Sequence, residues 1–154
     1  MTITVDPGHL RAIHAHGEAA YPSEGCGLLL GLAAPGSEDK TVADLLPIRN
    51  GREPEAAHNR YLITAEDMLK GELAAAERGL DVIGIFHSHP DHPAQPSDFD
   101  REYALPWYSY VITSVQDGRA IVSRSWLLAE DRSGFLEESI YANHSHPDTA
   151  APLC

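Results

Sequence analysis

Two histidines, His87 and His89, lie two residues apart at the end of the apolar run from Val82 to His87. This run is the clearest buried strand that the sequence predicts. Because the side chains of a strand alternate between its two faces, both imidazoles should point to one face and Ser88 to the other. Two neutral imidazoles on one face make a good half-site for zinc, and a buried strand would hold them rigidly. The pair alone indicates only a possible metal site.

A third ligand should follow nearby, because a catalytic zinc ion usually has three protein ligands and one position open to water. The acidic and histidine residues that follow the pair are Asp91, His92, Asp98 and Asp100. A helix that begins at Ser97 would turn Asp100 toward the same end as the Ser97 hydroxyl. If that helix end packs against the end of the strand, both groups can face the metal. His92 stands among prolines and is harder to place.

A hydrolytic zinc site also needs a carboxylate that accepts a proton from water without being a metal ligand. Glu24 stands immediately before a second apolar run, Cys26 to Leu30, which is consistent with another buried strand. A residue at the end of that strand could lie beside the site. Sequence spacing alone, however, cannot select Glu24 from the 23 acidic residues of the chain.

Three short segments become more specific when they are considered together: Ser23-Glu-Gly-Cys-Gly-Leu-Leu-Leu-Gly31, His87-Ser-His-Pro90 and Ser97-x-x-Asp100. This set resembles the JAMM motif of MPN-domain metallopeptidases, in which a glutamate precedes H-[ST]-H-P and S-x-x-D follows at a short distance. Here the residues from Asp91 to Pro96 separate the last two segments, which fits the spacing of that motif.

The resemblance implies a role for each of these side chains. Zinc would be bound by His87, His89 and Asp100, and Glu24 would act as the general acid and base. Ser97 would donate a hydrogen bond to the oxyanion of the tetrahedral intermediate. A single oxyanion donor of this kind is worth on the order of 3 kcal/mol.

Hydrophobic periodicity and capping residues predict an α/β (α+β) fold in which helices pack on a mixed β-sheet. The resemblance adds an MPN-like sheet flanked by helices, with layering like that of the cytidine deaminases. A peptidase domain is expected over residues 1–140 and a flexible tail over residues 141–154. The predicted helices cover roughly residues 7–20, 65–78 and 98–104, and the predicted strands roughly residues 26–31, 41–48, 61–63, 82–87, 108–114 and 120–128. Residues 49–59 are predicted to form a surface loop.

Composition narrows the functional classes. The chain has 154 residues, which suits one domain, and its net charge of −12 argues against a nucleic-acid partner. The sequence contains no apolar run of transmembrane length and no signal-peptide pattern, so no membrane association is expected. The two cysteines, Cys26 and Cys154, favour reduced thiols in the cytoplasm over a disulfide scaffold.

The substrate is implied only by the resemblance. A domain without flanking extensions is similar to small prokaryotic members of the family, which implies a peptidase acting at the C-terminus of a ubiquitin-like sulfur-carrier protein. One alternative is a non-enzymatic MPN scaffold for protein interaction, although this chain retains all five functional groups. Another is the RadC-like branch, which is linked to DNA and which the charge of −12 disfavours. The oligomeric state cannot be predicted.

Two further patterns have weaker interpretations. A thiol protease built from Cys26 and His87 is conceivable, but Cys26 is better explained as a small buried core residue. The segment from His144 to Asp148 repeats His87-Ser-His-Pro-Asp91, yet it has no preceding buried strand and no S-x-x-D after it. The absence of H-E-x-x-H and of a following P-C-x-x-C argues against helical metalloproteases and nucleobase deaminases.

Overall fold

The computed structural model describes residues 1–53, 56–57 and 59–142. Three helices and seven strands follow one another along this part of the chain. The helices are α1 (Pro7–Ala20), α2 (Ala65–Glu77) and α3 (Asp98–Tyr103). The strands are β1 (Thr2–Thr4), β2 (Cys26–Ala33), β3 (Lys40–Ile48), β4 (Asp81–Pro90), β5 (Ser109–Gln116), β6 (Arg119–Leu128) and β7 (Phe135–Tyr141).

The seven strands form one mixed sheet that closes into a barrel in the order β1-β3-β2-β4-β5-β6-β7. Strands β4 and β5 are parallel neighbours, and β1 runs parallel to both β3 and β7. The remaining pairs are antiparallel, including the predicted hairpin of β2 and β3. The prediction of a mixed sheet with helices packed on it is therefore confirmed. The closure of that sheet into a barrel through β1 and β7 was not predicted.

The two faces of the sheet bury different clusters. Helix α1 contributes Ile13 to the first cluster, which includes Leu29, Phe86 and Val111. Helix α2 contributes Ala75 to the second cluster, which contains Leu28, Leu30, Ile85 and Tyr110. Along β4, Phe86 thus faces α1 and Ile85 faces α2, so the alternation places the next residues, His87 and His89, on the α2 side. This is the face on which the site lies.

The helix starts follow from their capping residues. The Asp6 carboxylate accepts a hydrogen bond from the His9 amide at 2.8 Å, and Pro7 occupies the first turn of α1. Thr64 and Asp67 form a capping box at the start of α2. Gly79, with φ of +70°, follows the end of α2 in the left-handed region, where glycine is favoured.

One predicted strand is wrong and two strands were missed. Tyr61, Leu62 and Ile63 form no strand, because the Leu62 backbone pairs with Gly51 and with the Asn50 side chain while Tyr61 and Ile63 pack against the second cluster. Strand β1 has only three residues, and β7 has no regular alternation of buried and exposed residues. Strand β7 ends at Tyr141, and the predicted tail, with its His144 to Asp148 repeat, lies largely outside the described residues.

Candidate metal centre and active site

The end of β4 positions the two histidines. Hydrogen bonding on both sides buries this strand between β2 and β5, where Cys26 and Ile112 are the neighbours of His87. Both imidazoles point to the same face, as the alternation predicts, with ring centroids 5.0 Å apart. His87 is 1% exposed and His89 is 5% exposed. The pair is therefore rigid and almost entirely withdrawn from water.

The first turn of α3 brings a carboxylate to this pair. Asp100 has one carboxylate oxygen 3.4 Å from Nε2 of His87 and the other 3.1 Å from Nε2 of His89. Its position is fixed by a capping box with Ser97, in which the Asp100 carboxylate accepts the Ser97 amide at 2.9 Å. The predicted arrangement, a helix starting at Ser97 with Asp100 turned toward the strand end, is the one observed.

Glu24 reaches the same centre from the neighbouring strand. One ligand-capable atom each of Glu24, His87 and His89 lies within 4.8 Å of the others. The antiparallel register explains the approach: Cys26 pairs with His87, and Gly25 exchanges hydrogen bonds with Ser88, so Glu24 comes opposite His89. This long-range pairing is the information that spacing along the sequence lacks.

The polar atoms of the centre are consistent with a bound metal ion. Among the described residues, Oε1 of Glu24 and both ring nitrogens of His87 are buried without a hydrogen-bond partner. Such orphaned atoms are uncommon in native proteins, and an ion is one way of satisfying them. Nδ1 of His89 lies 2.9 Å from the Pro93 carbonyl, which holds a proton on that nitrogen, so Nε2 is the atom through which His89 would bind a metal ion. Two imidazoles with carboxylates form a donor set that suits zinc.

Burial and mutual contacts shift the pKa values of these groups in different directions. Burial raises the pKa of Glu24 to about 8, opposed by attraction to His89. Burial also favours the neutral form of Asp100, but its contacts with His87 and His89 outweigh this and hold the pKa of that carboxyl well below its usual range. Burial lowers the pKa of His87. The pKa values of the two neighbouring carboxyls are thus shifted in opposite directions. Near neutral pH, Asp100 is charged and Glu24 can hold a proton.

An open cleft of about 420 Å³ leads to this centre, and Glu24, His89 and Ser97 line it together. The Ser97 hydroxyl oxygen accepts the Asp100 amide at 3.0 Å, so the hydroxyl proton remains available for a second partner. Ser97 is exposed, unlike the buried acidic and histidine residues beside it. The cleft therefore places the exposed Ser97 hydroxyl beside the buried side chains of Glu24 and His89.

No role at the site was assigned from the sequence to three residues that position it. Ser88 accepts the Gly25 amide through its hydroxyl at 2.8 Å and so fixes the backbone beside Glu24. Asn50 donates to the Glu24 carbonyl at 2.9 Å. Tyr61 stacks on His87, with ring centroids 4.5 Å apart. A serine between the two histidines offered a weak signal for Ser88, whereas nothing in the local sequence singled out Asn50 or Tyr61.

Cys26 is a core residue in this structure. It is fully buried, and burial raises the pKa of its thiol to about 12, with repulsion from Glu24 adding to the effect. A thiol of this kind is not ionised at neutral pH, and the thiolate is the nucleophilic form. The geometry and electrostatics therefore argue against a Cys26–His87 thiol protease.

The fold and the buried donor set define a mixed α/β domain with a candidate metal centre at the end of a central strand. The family model described as prokaryotic homologs of the JAB domain matches residues 6–129, and the chain belongs to this family. The resemblance to MPN-domain proteins is thereby confirmed.

Individual relatives agree with this assignment. The desampylase of Haloferax volcanii is 36% identical over 107 residues, which cover 68% of this chain and 70% of that protein. A probable TtuB-protein conjugate cleaving protease of Thermus thermophilus is 32% identical over 123 residues, covering 79% and 76%. The solution structure of a protein from Salinibacter ruber has a TM-score of 0.71 and 45% identity over 99% of this chain and 95% of that one. Within the described part of the chain, none of the three helices combines the length and the apolar composition of a membrane span.

Proposed function

We propose that this chain is a cytoplasmic zinc-dependent peptidase or isopeptidase that hydrolyses an amide bond at the C-terminus of a ubiquitin-like sulfur-carrier protein. The observation that carries the proposal is the buried group of Glu24, His87 and His89, whose ligand-capable atoms lie within 4.8 Å of one another. Glu24 and His89 of this group line an open cleft. The names of two relatives, a desampylase and a conjugate-cleaving protease, support the reaction class.

In the proposed site, His87, His89 and Asp100 hold the zinc ion. Bound zinc would lower the pKa of a water molecule from 15.7 to about 7 and polarise the scissile carbonyl. His89 is oriented for this role by its hydrogen bond to Pro93, and Asp100 by the capping box with Ser97. Neither ligand therefore depends on an exposed, freely rotating side chain.

Glu24 is proposed as the general base and then the general acid. Burial raises the pKa of Glu24 to about 8 in the metal-free site, and a cation bound beside it would favour the carboxylate, which is the form that accepts a proton from water. Glu24 first accepts a proton from the attacking water and then delivers it to the leaving nitrogen. Ser97 donates its free hydroxyl proton to the oxyanion.

The test combines zinc-loaded protein with carrier proteins that end in Gly-Gly followed by a short C-terminal extension, and follows the intact mass. We expect loss of the extension in the wild-type reaction. The Glu24→Gln variant should retain zinc and lose turnover by a factor on the order of 10² to 10⁴. Loss of zinc in this variant would instead make Glu24 a ligand. Zinc binding without cleavage of any carrier would leave only the non-enzymatic scaffold.

A further inference from the structure

The Phe99 ring of α3, which lines the cleft, contacts two arginines. The Phe99 ring centroid is 5.1 Å from the guanidinium carbon of Arg52 and 4.9 Å from that of Arg60. Phe99 immediately precedes Asp100, so the ring that contacts both arginines is adjacent in sequence to a residue of the candidate metal centre. Guanidinium groups over an aromatic face are held by cation–π attraction, which orders two otherwise flexible side chains.

The two arginines lie in different surroundings. Arg60 and Phe99 line the cleft that also contains Glu24, His89 and Ser97. Arg52 lines a separate pocket of about 220 Å³ with Phe99, Asp100 and a set of mainly apolar side chains. Arg52 therefore supports the ring from its own pocket, and Arg60 is the cation of the cleft.

Neither guanidinium makes a salt bridge with a carboxylate of the described residues. Three of the nine arginines, Arg78, Arg101 and Arg124, have such a partner, so its absence alone does not distinguish Arg52 and Arg60. Nε of Arg52 is moreover buried without a hydrogen-bond partner among those residues. What distinguishes Arg52 and Arg60 is that the Phe99 ring orders both guanidinium groups beside the candidate active site while neither is paired with a described carboxylate.

We propose that Arg60, held on Phe99 and backed by Arg52, binds a carboxylate of the substrate beside the scissile bond. The inference rests on the proposed function, because the anions of an unmodified polypeptide are carboxylates and the planar fork of arginine matches a carboxylate in a bidentate manner. The carboxylate comes either from the free C-terminus of a short leaving segment or from an acidic side chain next to the cleaved bond. Arg60 is thus a specificity-determining residue.

The first experiment measures binding without turnover. The full chain, loaded with zinc and carrying Glu24→Gln, is titrated with four peptides and followed by NMR chemical shifts. The peptides are acetyl-Gly-Gly-Ala-Ala as the free acid and as the amide, and acetyl-Gly-Gly-Glu-Ala-amide with its Gln counterpart. We expect one of the two charged peptides to bind about tenfold more tightly than its neutral partner, and this identifies the source of the carboxylate.

The matched variants decide whether Arg60 is responsible. Adding Arg60→Gln should abolish the preference, whereas Arg49→Gln, which removes the same charge from an exposed position of the same segment, should retain it. Equal binding of charged and neutral peptides, a preference that survives Arg60→Gln, or an equal loss in Arg49→Gln would each overturn the proposal. The zinc content of every variant is measured, and a preference that came from direct contact between the carboxylate and the metal would survive Arg60→Gln.

A cleavage experiment separates this inference from the proposed function. Carrier proteins with the same four extensions are incubated with the wild type and the Arg60→Gln variant, and kcat/KM is compared. An approximately tenfold preference in the wild type that disappears in Arg60→Gln supports both proposals. Cleavage without the preference overturns the role of Arg60 and leaves the peptidase function intact. A binding preference without any cleavage leaves the carboxylate site intact and removes the peptidase function.

Discussion

The two walls of the cleft are constructed in different ways. The first wall, which is the metal wall, consists of regular elements: β4 carries His87 and His89, and α3 carries Asp100. The second wall, opposite the first, consists of Glu24 and the irregular stretch between β3 and α2. That stretch is held by Asn50, whose side chain makes four hydrogen bonds to the backbone of Glu24, Arg52, Arg60 and Leu62.

This difference separates metal binding from substrate handling. The metal wall is buried and rigid, so its ligands need no substrate to bring them together. The opposite wall presents Arg60 to the cleft, and Glu24 is positioned by backbone hydrogen bonds together with the side chains of Asn50 and Ser88. Changes on the first wall should therefore abolish the centre, and changes on the second should modulate turnover while zinc remains bound.

The largest effect is expected from His89→Ala. This substitution removes one imidazole of the buried pair, so the protein should lose bound zinc and all measurable hydrolysis. Metal analysis after dialysis is the measurement. The control is His92→Ala, because His92 lines the same cleft but is exposed, and its contact with Ser114 uses its backbone carbonyl. Equal zinc content in His89→Ala and the wild type would contradict the assignment of the metal wall.

The same division explains what could be predicted from sequence. The ends of α1 and α2, the turn of Asp100 toward the histidines and the common face of the two imidazoles all depend on residues close in sequence. Glu24 was found only through the resemblance, because its position depends on the register of β2 against β4. Strand β1 was missed because it has three residues and pairs only with distant strands, and β7 because its buried and exposed residues do not alternate, although it pairs with the preceding strand β6.

A smaller effect, of a few kcal/mol, is expected from the buried carboxyl of Glu24 in metal-free protein. Its pKa is raised from 4.5 to about 8 in the folded state, so the folded protein favours the protonated form. The corresponding stability is fully present below about pH 4.5 and is lost as the pH rises through 8. Each pKa unit corresponds to about 1.4 kcal/mol.

The measurement compares wild type and Glu24→Gln by urea unfolding with a chelator between pH 5 and pH 9. Glutamine has the shape of the protonated acid and does not titrate. The free energy of unfolding of the wild type should therefore fall relative to that of Glu24→Gln as the pH rises. Because both proteins retain His87, His89 and Asp100, the contributions of these groups largely cancel in the difference. A difference that is constant across this range would show that Glu24 is not desolvated as the structure indicates.

The smallest effect on the centre, and the most informative about the second wall, is expected from Asn50. Asn50→Ala removes all four hydrogen bonds to the backbone, and we expect it to lower the free energy of unfolding by about 2 kcal/mol. It should also reduce kcat/KM by about tenfold while the zinc content stays that of the wild type. Asn50→Asp is the matched variant: it keeps the acceptor for Arg52 and Leu62 but cannot donate to Glu24 and Arg60. If donation to Glu24 is what matters for turnover, Asn50→Asp should be as slow as Asn50→Ala although it is more stable. Loss of zinc in either variant would mean that the two walls are one cooperative unit.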